Sequence, residues 1–215
     1  MTDIIGKTGA LLTGSAIFIF AVSMIIGLFT DTLFASCFAS LFIAIGYLLF
    51  VSALAALSVP EKRAAAGAAF AFALVYAVLV ALVYYAQLTT VHLHPSLSGD
   101  VLDIISYGRS GSLFFNYDLL GYAFMGLSTF FAAFALEPRD RGDKVLRTLL
   151  AIHGLFFFSC LIVPLFPVFT PGASIIPGTI LLECWCAYFL PIMALGLRYF
   201  HMHQNGQIND TPPVR

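Results

Sequence analysis

Charge is what this 215-residue chain has least of. Asp, Glu, Lys and Arg make up 10% of it, where a soluble globular domain carries about 25%. Hydrophobic residues make up 60%, and mean hydropathy is +0.97. Ten basic and eleven acidic side chains cannot cover the surface of a 23.3 kDa globule. That excludes a soluble cytosolic enzyme and a disordered chain. A net charge of −1 lacks the basic footprint of a nucleic-acid binder, so no nucleic-acid partner is expected. Four cysteines, Cys37, Cys160, Cys184 and Cys186, all fall within apolar stretches, so they read as apolar fillers rather than a disulfide framework. Phosphate-loop and HExxH motifs are missing, as are a lysine suited to a retinal Schiff base and facing histidines for haem. The sequence therefore names no cofactor.

What fills the chain instead is long apolar runs. A helix crossing the hydrocarbon core needs about 20 mostly apolar residues, because roughly 30 Å is covered at 1.5 Å per residue. Six stretches qualify, at about 8–29, 33–57, 64–87, 114–136, 145–165 and 177–200. They are apolar on all sides, unlike the alternating segments of a membrane barrel. The expected fold class is all-α: a polytopic membrane protein, one six-transmembrane-helix bundle over residues 1–200. The polar segment 201–215 reads as a disordered cytoplasmic tail.

The few charges orient the bundle. With six spans, one side holds Lys7, Lys62, Arg63, Arg139, Arg141, Lys144, Arg147, Arg198 and Arg215, and the other holds Arg109 alone. Basic loops stay cytoplasmic, so both termini are expected on the cytoplasmic side of a membrane such as a cell inner membrane. Five of the acids, Asp31, Asp100, Asp103, Asp118 and Glu183, then fall on the outer side with His92, His94 and Arg109. A site in this protein is expected to open outward.

Glu183 carries the most information, because an acid well inside a span costs about 2.5–3.5 kcal/mol at mid-helix and needs a partner. Candidate partners are Arg109, Tyr84, Tyr85 and His92. Asp118 lies about one turn into the fourth span, where the helix dipole favours an acid, on a face shared with Gly121, Tyr122 and Met125. Arg109, the one outer cation, either neutralises Asp103 or Glu183 or receives an anionic group. Within the long outer connection 88–113, residues 101–107 read as a short interfacial helix, capped by Asp100 and ended by Gly108, lying over the bundle like a lid. His92 and His94 share one side of an extended segment and are weak metal candidates; no metal site is assigned. Pro191 inside the last span frees a carbonyl one turn from Glu183.

These residues lead to three functional expectations. The first is binding or transport of a small amphipathic molecule in the outer half of the bundle, oriented by Glu183, Asp118, Arg109, Tyr84, Tyr85, Tyr122 and Trp185. The second is an accessory or assembly subunit that docks on membrane partner subunits through its Ala/Gly faces. The third is an intramembrane enzyme acting on a lipid-like substrate with Glu183 as acid and base. The lipid bilayer is the expected partner in all three.

Overall fold

The computed structural model describes residues 1–94, 96–109, 111–166 and 176–209, with side chains for all of these but 177 and 205–209. Among them the chain is all helical. Six helical stretches are long and apolar enough to cross a membrane. They are α1 (Thr2–Ile26), α2 (Leu33–Ala56), α3 (Arg63–Ala86), α5 (Leu113–Ala135), the pair α6 (Arg141–His153) and α7 (Phe156–Leu165), and α8 (Ile176–Asn209). A short helix, α4 (Gly99–Ile105), lies in the long connection between α3 and α5.

Local chemistry explains the ends of these elements. After α1, the Asp31 carboxylate accepts from Leu33 N at 3.0 Å, and the Thr32 hydroxyl donates to Ser23 O at 2.6 Å, closing the turn into α2. Serine hydroxyls cap α4 and α5: Ser98 accepts from Val101 N, and Ser112 from Phe115 N. The expected cap Asp100 therefore gives way to Ser98, two residues earlier. The helix ends at Ser106, whose backbone is already extended, before Gly108 is reached. Asp140 caps α6 by accepting from Asp143 N.

Two spans differ from their expected form. The fifth breaks at Gly154-Leu155 into α6 and α7, and a Cβ on Gly154 would stand 2.8 Å from Phe130 Cβ. The close approach of α5 leaves room for glycine alone. The last helix does not stop at residue 200 but continues through Asn209. Beyond the apolar span it meets the start of α1, where His203 Nδ1 lies 2.8 Å from Asp3 and Lys7 donates to Gln204. The expected disordered tail thus begins as helix, and residues 210–215 lie outside the described part.

The helices pack as a ring that follows chain order: α1 on α2, α2 on α3, α3 on α5, α5 on α6 and α7, α6 on α8, and α8 on α1. Small residues permit the tightest contacts, as expected where close helix approach replaces the hydrophobic effect. A Cβ on Gly46 would lie 2.7 Å from Thr13 N on α1, and one on Gly126 2.8 Å from Phe157 N on α7. At one end, ion pairs tie the α5–α6 turn to its neighbours. Arg139 donates to Asp143 and to Tyr199 O, Arg198 pairs with Asp140, and Lys62 pairs with Glu137. Through this half the ring centre is filled by Tyr47, Phe50, Phe189 and Phe200, all fully buried. Tyr47 plugs the middle. Its ring meets Tyr76 and Phe189, and its hydroxyl donates to Ser128, which donates to Ala69 O.

Towards the α4 end the ring is not closed in the same way. Among the described residues, α7 packs there on α5 and α6, α8 packs on α1 and α6, and α7 and α8 approach each other little. The seam between them is where the centre of the bundle hollows out.

Candidate functional site

The hollow is a cavity of about 360 Å³. Each wall is one helical face, presented at a spacing of three or four residues. From α5 come Phe115, Asp118, Leu119 and Tyr122; from α7, Phe156, Ser159, Cys160 and Val163; from α8, Gly178, Thr179, Leu181, Leu182 and Trp185. Met24 of α1, Gly27, Leu28, Thr30 and Thr32 of the turn after it, and Leu33 and Ser36 of α2 complete it, with Asp31 at the rim and Tyr107 and Gly108 above. The lining is apolar with a small number of placed polar groups, the usual make-up of a small-molecule site.

The floor is held by a fixed imidazole. Trp185 Nε1 donates to His153 Nε2 at 3.0 Å, and His153 Nδ1 lies 2.9 Å from the Thr129 hydroxyl, which donates to Gly126 O. An indole can only donate, so Nε2 is an acceptor and the ring proton sits on Nδ1. Both ring nitrogens are used in setting the Trp185 indole. Phe189 stacks beneath that indole at 5.2 Å, and Tyr122 meets it edge-on at 5.2 Å.

The roof is held by one amide. Gln87 begins a π-helical turn, Gln87–Val91, that carries its side chain into the bundle, where it is 3% exposed. Its Nε2 donates to Ile105 O at 3.0 Å, and its Oε1 accepts from Tyr107 N at 2.9 Å. Donor and acceptor of one side chain thereby clamp the end of α4. The clamp sets Tyr107 over the cavity with its ring 5.3 Å from Tyr84. Burial, with the Asp118 carboxylate nearby, pushes the Tyr107 phenol well above its usual range.

Asp118 is the ionisable group within. It is 3% exposed, the Tyr84 hydroxyl is its neutral neighbour, and its Oδ1 has no hydrogen bond of ordinary geometry among the described residues. The buried hydroxyls of Tyr76, Tyr84 and Tyr122 likewise make no hydrogen bond of ordinary geometry there, with Tyr76 and Tyr122 beside each other and Tyr84 beside Asp118 and Tyr107. Polar atoms left this way inside a protein mark a place for water or a ligand.

The seven residues expected to orient a ligand therefore separate. Asp118, Tyr122 and Trp185 are brought together on the cavity wall. Tyr84 is buried behind Tyr107, and Tyr85 is 64% exposed on the far side of its helix. Arg109 lies outside the cavity and pairs with Asp103, donating to it and to Gly99 O. Glu183 is half-buried and does not line the cavity; its Oε1 is enclosed without a hydrogen-bond partner among the described residues. Its proposed partnership with Arg109 is thus taken by Asp103. The expected extended run at His92 and His94 is helical through residue 93. The His92 ring packs on Phe34 at 5.1 Å, and His94 Nδ1 lies 3.0 Å from Thr90 O. Among the described residues, no three His, Cys, Asp or Glu side chains converge as metal ligands.

Gln87 and His153 are the functional positions that sequence reasoning passed over or set aside. A glutamine closing an apolar run was a signal for the first. For the second, an imidazole eight residues into the fifth helical stretch needed a partner, and nothing in the sequence pointed to a tryptophan 32 positions on. Comparison with family models, curated proteins and solved structures returns no match for this chain. The chemistry of the cavity has to speak for itself.

Proposed function

We propose that this is an integral multi-pass membrane protein that binds a small amphipathic molecule in the cavity at the α4 end of the bundle. In this reading the termini are cytoplasmic, following the nine-to-one bias of basic residues, and the cavity faces the outer leaflet. Transport is the natural use of such a site, with the ion-paired, fully packed half as the closed side. The observation that carries the reading is the cavity: about 360 Å³, apolar in its walls, with a buried carboxylate oxygen unpartnered within it. Native mass spectrometry of gently extracted protein tests it. A small molecule that co-purifies with the wild type and is lost from Ser159→Phe, which fills the cavity from α7, is the expected result. Partner subunits in place of a small molecule would instead favour an accessory subunit. Turnover of a lipid-like substrate that Glu183→Gln abolishes would favour the enzyme.

A further inference from the structure

The polar groups of the cavity are one-sided. Its carboxylates are Asp118 within and Asp31 at the rim, and no Lys, Arg or His lines it among the described residues. Residues 167–175, which follow α7, carry no ionisable side chain in the sequence. The one cation at this end of the bundle, Arg109, is turned to Asp103. The one buried imidazole, His153, has both nitrogens engaged beneath Trp185. Asp31 already accepts from Leu33 N, whereas Asp118 has no cation beside it among the described residues, only the neutral Tyr84 hydroxyl. A buried carboxylate without a counter-ion is a costly arrangement unless something brings the charge to it. Trp185, Tyr122, Phe115 and Phe156 line the same cavity, aromatic residues of the kind that attract a cation electrostatically.

We infer that the molecule taken by this cavity is an amphipathic cation, a single ammonium head on an apolar body, with Asp118 as its counter-ion; the inference rests on the cavity being the ligand site. The head lies against Asp118 Oδ1, and the apolar body runs along the α7 and α8 faces towards Leu182 and Val163. An anionic amphiphile would meet two carboxylates and no cation. A neutral alcohol would gain the hydrogen bond to Asp118 without the Coulomb attraction, which is strong in a medium of low dielectric constant.

The chain contains a single tryptophan, and it lines the cavity, so its fluorescence reports this site alone. The protein in nanodiscs of uncharged phosphatidylcholine is titrated at neutral pH with n-octylammonium, n-octanol and n-octanoate. The expected result is a saturable change in Trp185 emission with octylammonium, at a Kd at least ten-fold below that for octanol. Asp118→Asn brings octylammonium to the octanol value, and Ser159→Phe removes the saturable change for both. Equal affinity for octylammonium and octanol, or tighter binding of octanoate, overturns the cation while leaving the cavity as a site. A wild-type protein that responds saturably to none of the three overturns the cavity reading as well. The ranking of probes on the wild type stands without any variant, and Asp118→Glu, which keeps the charge, retains the preference for octylammonium.

Discussion

Single side chains hold the cavity in shape from above and below, and their loss can be read separately. Gln87→Leu keeps the bulk of the side chain but removes both hydrogen bonds to the α4 end. Stranding a buried backbone donor and acceptor costs about 1–3 kcal/mol, so amide exchange at Tyr107 is expected to accelerate by ten-fold or more. If exchange there is unchanged, the clamp does not hold the roof. At the floor, His153→Phe leaves Trp185 Nε1 with no acceptor; a membrane hydrogen bond is worth about 1–2 kcal/mol at most. A lower Tm together with a shifted Trp185 emission is expected, and a Tm shift with unchanged emission would place His153 elsewhere. At this scale the sequence was legible where type and position agreed. Asp118, Tyr122 and Trp185 were picked out as polar or aromatic residues on span faces, and they do meet. Glu183 and Arg109 were picked out by scarcity of charge, and charge scarcity says nothing about which way a side chain points. One residue of helical phase, about 100°, separates Leu182 on the cavity wall from Glu183 beside it.

Among the elements, glycine positions divide into those that carry a contact and those that do not. Gly46→Ala would place a methyl 2.7 Å from Thr13 N and 3.0 Å from Gly9 O, backbone atoms that cannot turn aside. Overpacking of this kind costs about 1–3 kcal/mol, expected as a lower Tm in detergent. Gly67→Ala on α3 meets nothing within 4 Å, so the helix gains about 0.5–1 kcal/mol and Tm holds or rises. Equal effects at the two positions would refute the packing assigned to α1 and α2. The six spans themselves were legible from hydropathy, because length and apolar composition suffice to specify a crossing helix. The break at Gly154 was not, because an apolar run reads the same whether it is one helix or two. It takes the neighbouring Phe130, brought close by α5, to show why the glycine is there. Ser98 was overlooked as a cap for a similar reason, since serine and aspartate two positions apart compete for the same role.

For the whole molecule, the ion pairs that join one helix of the ring to another lie, among the described residues, at the end opposite α4. Asp140 caps α6 and pairs with Arg198 of α8, and the guanidinium holds its carboxyl down at about 2, against an ordinary 3.8. A lowered acid contributes stability that is present above the ordinary value and is lost as pH falls through the lowered one. The Tm difference between wild type and Asp140→Asn, which keeps the capping oxygen, is expected to be constant above about pH 4 and to close towards pH 2. A difference that persists at pH 2 would assign it to packing. Orientation is tested by a reporter fused to the C-terminus, expected to give a cytoplasmic signal; a signal from the other side would reverse the bundle.

The seam between the described parts of α7 and α8 bears on how occupancy of the proposed site would be counted. Those two helices present Phe158, Ile162, Leu165, Ile180 and Leu181 outward, all half exposed or more, so the gap is bordered by surface suited to acyl chains rather than water. In the proposed reading, a guest that entered there would first dissolve in the lipid. For a guest held mostly in the bilayer, loading would follow its mole fraction there, so that extra lipid at fixed total guest and fixed protein would lower that mole fraction, and the aqueous concentration with it, and empty the cavity.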